Sequence, residues 1–306
     1  MSKPLVAIHC LVYNHEPYLR DCLEGFVRQQ TNFPFVAIVH DDASTDGSAA
    51  IIREYEEKYP HIFKPIYETE NQYSKRNGSV GRIMNAAIEA TGAKYVAMCE
   101  GDDYWTDPMK LQKQVDFMEA NPEYSMCFHA AEILLQGVDR SKCGARCEHI
   151  IDKEYSATEM FAEWIVPTAS IIYRQRVNEY TIKHQDWITR GDIILVLKCA
   201  HTGKVWGMSN TMSVYRMQPN SVSHNPQYRN PEVYKLPNHF RCIYYNFPNV
   251  DKDAITWNIS HAYYSRMKVV SSLIDKVSDF FRFIYWHPKF AYSKIKRLVN
   301  RKTFKH

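Results

Sequence analysis

Glu100, Asp102 and Asp103 stand together at the end of an apolar run over residues 95–99. Carboxylates crowded at the end of a buried strand repel one another and resist desolvation. A divalent cation removes that cost. Oxygen ligands at this density suit a hard ion, Mg2+ or Mn2+, and such ions partner phosphates. The stretch points to a metal and diphosphate site. Two other apolar runs end in polar groups as well: residues 5–12 run into Tyr13-Asn14, and residues 35–39 lead to Asp41-Asp42. Asp107 and Pro108, by contrast, read as the ordinary start of a helix.

These groups need a scaffold that brings strand ends together. Residues 5–12, 35–39, 63–67 and 95–99 read as strands. They alternate with helices over 16–29, around Ile51, Ile52 and Tyr55, and over 80–90, where Ile83, Ala87 and Ile88 point inward and Gly92 follows the end. Such alternation predicts a parallel sheet with right-handed crossovers, and ligands bind beyond the carboxyl ends of its strands. After Pro108 a helix carrying Leu111, Val115 and Met118 stops near Asn121-Pro122. Residues 124–135 read as one long or two short strands and 137–157 as a loop. A short helix over 158–164, a strand over 169–173 and a helix over 192–201 follow. Residues 205–207 and 211–216 are expected to pair as a hairpin across Ser209-Asn210. The sheet is expected to be continuous and partly antiparallel in its second half.

The 306 residues, 45% of them hydrophobic, support a sizeable core and exclude a disordered chain. Of 38 basic residues, eight fall between Arg282 and His306, where there is no acid. The remainder holds 30 basic against 34 acidic residues, so a mildly acidic body precedes a basic tail. Eight cysteines are scattered, several in apolar runs, as reduced buried thiols are. Cys143, Cys147 and His149 lack the second ligand pair of a zinc site. The start, MSKPLVAIHC, reads as no signal peptide, and no apolar segment is long enough to span a bilayer. The expectation is a cytoplasmic protein, peripheral on the inner face of the plasma membrane.

The run from Phe35 through Asp41-Asp42-Ala43-Ser44-Thr45-Asp46-Gly47-Ser48 closely resembles the "IVDDGSTDGT" signature of family 2 glycosyltransferases. Residues 6–14 resemble their first strand, and Glu100-Gly101-Asp102-Asp103 resembles their "DADD" form of the DXD motif. The resemblance is strong over residues 4–120, fair to 223 and weak beyond. It implies a GT-A fold, a Rossmann-like mixed sheet flanked by helices, over residues 1–224. Residues 1–108 would be the nucleotide-sugar-binding half and 109–224 the acceptor half. A mostly helical extension would cover 225–306.

The resemblance also implies inverting transfer from a nucleotide-diphosphate sugar, UDP-linked, to a hydroxyl of a glycan or lipid-linked acceptor in surface polysaccharide synthesis. Tyr13 would stack near the base. Asp42, with Asp41, would accept from the base N–H, since a carboxylate is acceptor-only. Asp102, with Asp103 as alternative, would ligate Mn2+ or Mg2+ at the diphosphate, while Glu100 replaces the usual first Asp of the motif. Arg76, chosen over Lys75 and Arg82, would meet base or diphosphate, and Asn85 would pack or hydrogen bond near the site. Asp192, with Asp186 in reserve, would be the general base. Pro167 to Ser170 would line the acceptor cleft. Tyr215-Arg216 with Ser221-Val222-Ser223 resembles the end of the catalytic region, and Arg216, with His224 as a lesser candidate, would neutralise the leaving diphosphate.

The aromatic, basic tail over 280–306 suits an anionic membrane surface, and no nucleic-acid motif accompanies its charge. Two other classes compete with a transferase. A nucleotidyltransferase needs a Gly-rich loop after the first strand, where this chain reads Leu11 to Glu16 without glycine. A non-catalytic nucleotide- or glycan-binding protein is opposed by acids at the strand ends.

Overall fold

The structure is a computed structural model. It describes residues 3–137, 139, 146–218 and 232–303, with side chains described as far as 297. Among these residues nine strands form one sheet. Strands β1 (Val6–Val12), β2 (Phe35–Asp41), β3 (Phe63–Tyr67) and β4 (Tyr95–Met98) are mutually parallel in the order β3-β2-β1-β4. Between them run helices α1 (Glu16–Val27), α2 (Ser48–Lys58) and α3 (Ser79–Thr91). The apolar runs of β1 and β4 are buried almost throughout, because helices cover both faces of such a sheet. On α1, Leu19, Cys22, Leu23 and Phe26 recur at helical spacing and are buried in this core.

The sheet continues as β8-β6-β9-β5, where β5 is Tyr104–Trp105, β6 Tyr124–Leu135, β8 Ile172–Arg174 and β9 Lys204–Met217. Strand β7 (Lys153–Glu154) adds to β9. Antiparallel pairs β4·β8, β6·β8 and β5·β9 make this half mixed, as expected. Helices α4 (Lys110–Ala120), α5 (Ala157–Ala162) and α6 (Gly191–Thr202) complete this part of the chain.

Two expectations are corrected here. Residues 205–216 form no hairpin: β9 is one strand, parallel to β6, with register shifts near His129 and Ala130. Ser209 does not turn because Asp152 holds it, its N–H donating to Oδ1 at 3.0 Å and its hydroxyl to Oδ2 at 2.7 Å. Residues 169 and 170, expected to open the strand over 169–173, belong instead to a 3-10 turn, Thr168–Ser170, buried ahead of β8.

The chain divides into two compact units. One comprises 1–181 and 196–218 and holds the whole sheet; the other comprises 182–195 and 219–306. In the second unit lie α7 (Leu236–Asn246), α8 (Lys252–Met267), α9 (Leu273–Trp286) and α10 (Pro288–Thr303). Residues 182–195 join it because α7 grips them. Asn246 accepts the Lys183 N–H at 2.7 Å and donates to the Lys183 carbonyl at 3.0 Å. Arg190 donates to Glu232 at 2.7 Å.

Candidate active site

In the first unit the parallel strands bring Tyr13, Asp41, Asp42 and the Glu100–Asp103 loop to one edge of the sheet. Asp42 N–H donates to the Val12 carbonyl at 2.9 Å, and Gly101 N–H to that of Leu11 at 2.9 Å, so both loops are sewn to the end of β1. Gly101 is required by space. A Cβ there would lie 2.8 Å from His15 Nδ1 and 2.9 Å from Val12 Cγ2.

The loop after β1 and the loop after β2 clasp each other. Asn14 N–H donates to Ser44 Oγ at 3.0 Å and Thr45 N–H to Asn14 Oδ1 at 2.8 Å. His15 N–H donates to Ser48 Oγ at 2.9 Å, Glu16 N–H to Asp46 Oδ2 at 3.0 Å, and Gly47 N–H to Glu16 Oε2 at 2.7 Å. Asn14 takes a left-handed φ of 55° to make this exchange. Burial works against ionisation of Asp46, yet hydrogen bonds from Ser48 and Glu16 outweigh it and hold its carboxyl below the usual range. The clasp leaves the Tyr13 ring 39% exposed at the strand end, free to meet a flat partner.

Asp42 is buried and engaged. Its carboxylate accepts the Gln72 N–H at 2.6 Å and the Tyr73 N–H at 2.9 Å, fixing the 3-10 turn Tyr73–Lys75 that precedes Arg76. Two further lone-pair directions remain on the carboxylate for a ligand. Asp41 is also buried, and its Oδ1 has no hydrogen-bond partner among the described residues. Of the three cations considered, Lys75 pairs with Glu70 at 3.0 Å and Arg82 donates to the Asn77 carbonyl at 2.7 Å. The Arg76 side chain is exposed and has no ion pair among the described residues. Asn85 is exposed on α3.

The acidic loop divides its labour. Asp103 is buried, with Oδ1 accepting the Arg216 N–H of β9 at 2.8 Å and Oδ2 left without a partner among the described residues. Burial, with the nearby charges of Asp102 and Glu100, raises its pKa well above the usual range. Asp102 is half-buried and accepts from Gln218 Nε2 at 3.2 Å. An orphaned, desolvated carboxylate oxygen beside a more open carboxylate fits a divalent cation. Among the described residues no three His, Cys, Asp or Glu side chains form a cage.

Arg216 has a different task from the one expected. It is buried, its Nε donates to the Asp102 carbonyl at 2.8 Å, and it pairs with Asp21 at 3.0 Å. Its guanidinium sits over the rings of Tyr18, 4.7 Å from the centroid, and Tyr104, 5.3 Å away. It anchors the acidic loop to β9 and α1 instead of presenting a free cation. Pro167 to Ser170 likewise form no cleft wall. Ala169 and Ser170 are fully buried, and their carbonyls accept from Trp105 Nε1 and Gln114 Nε2, each at 2.8 Å. The same layer buries Lys110, whose ammonium lies 4.1 Å from the Trp105 ring centroid and donates to Gln114 at 2.7 Å. Desolvation lowers its pKa to about 7.

Tyr18, Asp21 and Gln218 escape a sequence reading. They lie far from the acidic motif along the chain, and no spacing marks them. Asp192 belongs to the second unit, in the first turn of α6, where its Oδ1 accepts the Ile193 N–H at 2.8 Å. Burial, aided by Glu232 and opposed by that hydrogen bond and by Arg190, raises its pKa. Gly191 supplies no special backbone freedom there, since its φ is not positive and a Cβ would meet nothing within 4 Å. Asp186 is exposed. Ser221, Val222, Ser223 and His224 lie outside the described residues, as does Cys143. The other seven cysteines are buried and form no disulfide among the described residues.

A family model described as Glycosyl transferase family 2 matches residues 8–180. An uncharacterized protein of Mycobacterium tuberculosis is 33% identical over 220 residues, which are 72% of this chain and 61% of that protein. The chain thus matches about three fifths of the length of that relative. TuaG of Bacillus subtilis, named as a putative teichuronic acid biosynthesis glycosyltransferase, is 30% identical over 227 residues, 73% of this chain and 83% of TuaG. Among solved structures, S. aureus TarS 1–349 in complex with UDP superimposes with a TM-score of 0.61 at 14% identity, over 94% of this chain and 82% of that one. The mannosyltransferase PcManGT of Pyrobaculum calidifontis, in complex with GDP-Man and Mn2+, gives 0.56 at 15% identity, over 100% and 87%. These structural likenesses establish the fold.

Proposed function

This chain belongs to glycosyl transferase family 2 and has the GT-A fold, and from that premise we propose that it transfers a sugar from a UDP-linked donor to a hydroxyl of a glycan or lipid-linked acceptor in surface polysaccharide synthesis, with inversion at the anomeric carbon. The observation that carries the donor half is the orphaned, buried Asp103 oxygen beside half-buried Asp102. Asp102 would hold Mn2+ or Mg2+, with Asp103 as the second oxygen donor. When bound, the ion supplies charge compensation for the diphosphate. Tyr13 stacks on the base, Asp42 accepts from its imide N–H alongside Asp41, Glu100 meets the ribose or the metal, and exposed Arg76 meets the base or the diphosphate. TarS with UDP and PcManGT with Mn2+ support a nucleotide donor and a divalent ion. TuaG supports a surface polysaccharide.

Asp192 is the general base. It takes the proton of the acceptor hydroxyl as that oxygen bonds to the anomeric carbon. The bond from that carbon to the diphosphate breaks, and its electron pair leaves with the nucleotide. A raised pKa suits this task, because a base poised nearer neutrality accepts a proton more readily. Residues 280–306 would rest on an anionic membrane surface, where a lipid-linked acceptor would be met.

Calorimetry against UDP-, dTDP- and GDP-sugars, with and without Mn2+, tests the proposal. A UDP-sugar is expected to bind, more tightly with the ion, and to be turned over slowly by water. No binding of any nucleotide sugar would overturn the reading. Binding without transfer or hydrolysis, across a panel of acceptors, would favour a non-catalytic binding protein.

A further inference from the structure

Helix α9 turns a mixed polar and aromatic side inward. Its buried residues are Asp279 and Phe283. Asp279 is wholly buried and receives Nε of Arg266 at 2.8 Å and a second guanidinium nitrogen of the same residue. Arg282 approaches to 3.9 Å. The other side of the helix is apolar and open. Leu273, Ile274, Val277, Phe281 and Tyr285 are 75%, 81%, 49%, 65% and 78% exposed. At about 100° per residue they fall on one arc of roughly 120°. A stripe of this kind marks an interaction surface.

The charge that follows the stripe along the chain identifies what covers it. From Arg282 to His306 there are eight basic and no acidic residues. Exposed Lys289, Lys296 and Arg297 follow on α10, with Tyr292 exposed among them. Asp275 lies at the opposite end of the stripe, in the first turn of α9. Among the described residues no helix is long and apolar enough to cross a membrane. Apolar residues on one helix with aromatics, followed by cations, match a bilayer interface that carries anionic headgroups.

We infer that the face of α9 formed by Leu273, Ile274, Val277, Phe281 and Tyr285 lies in the plane of an anionic membrane, its apolar side chains among the acyl chains and the α10 cations on the headgroups. This deepens the reading above, since it extends the membrane contact upstream of residue 280 and rests on a lipid-linked acceptor being the natural substrate. Vesicle binding needs no donor, so its failure would leave the transferase assignment standing.

The full chain is floated with vesicles of phosphatidylcholine alone and of phosphatidylcholine with roughly a third phosphatidylglycerol, at low and high salt. Binding to the anionic vesicles, weakened by salt, is expected. The double variant Ile274→Ser with Phe281→Ser is expected to bind about tenfold or more weakly. The triple variant Lys289→Glu, Lys296→Glu, Arg297→Glu is expected to lose the preference for anionic lipid, about tenfold. Circular dichroism and UDP-sugar binding should be unchanged in both. Should the serine variant misfold, Phe281→Trp provides an independent readout. The emission gained over the six native tryptophans, taken as the difference from wild type, should shift to the blue and be quenched by brominated acyl chains. Absence of binding to anionic vesicles, wild-type binding by the serine variant, or an introduced indole that stays in water would overturn the inference. So would a dimer, detected by light scattering, that the serine variant breaks while the wild type ignores vesicles; a second copy of the chain would then cover the face.

Discussion

At the scale of single residues, the roles proposed for Asp192 and for the acidic loop can be told apart by substitution. Asp192→Asn keeps the shape of α6 but removes the proton acceptor. We expect kcat to fall by about 10²–10⁴-fold, with donor affinity unchanged by calorimetry. Because burial raises the Asp192 pKa, the wild-type rate should rise with pH along a limb above the ordinary aspartate value of about 3.9. An acid limb at the ordinary value, or one that persists in Asp192→Asn, would remove it as the base. Asp102→Asn should instead weaken Mn2+-dependent donor binding and leave folding intact. Arg216 works through its neighbours. Buried between two rings and hydrogen bonded to the Asp102 carbonyl, it sets where the acids point.

At the scale of elements, the loops at the sheet edge are rigid because each is tied to another. Gly101→Ala pushes a methyl against His15 and Val12 and should cost about 1–3 kcal/mol in urea unfolding. A loss of donor affinity should accompany it. A neutral result would show that His15 yields and that the close approach is incidental. The parallel half of the sheet is legible in the chain because local rules agree there. Unbroken apolar runs end in carboxylates, and helical spacing intervenes. Strand β9 is not legible because Ser209-Asn210 has the composition of a turn, while the partner that keeps it extended, Asp152, lies 57 residues away. The task of Arg216 is hidden for the same reason: its ligands come from α1 and from the acidic loop, and nothing near it in sequence announces them. Residues 182–195 resemble part of the acceptor half because their anchor, Asn246, lies 63 residues beyond Lys183.

At the scale of the molecule, Lys110 makes stability depend on pH. Folding lowers its pKa to about 7 from an ordinary value of 10.5. Between these values the unfolded chain holds the proton and the folded chain does not, so stability falls as pH drops from 10.5 toward 7 and rises with pH across that window. Below it both states are charged, and the fold carries the full penalty of a buried ammonium. Lys110→Met should therefore be the more stable form near pH 6, by a few kcal/mol, with the gap closing toward about pH 10. Denaturant unfolding at several pH values checks this, and parallel pH profiles for the two proteins would refute it. Asp42 binds two tasks into one side chain. Its oxygens pin the turn that carries Arg76, so in the proposed donor site the floor beneath a nucleobase and the rim beside its phosphates would share a single peg. A relative that changed its base preference by exchanging this aspartate would unfasten the rim as well. A shift of preference must come from neighbours such as Tyr13, with the peg left in place.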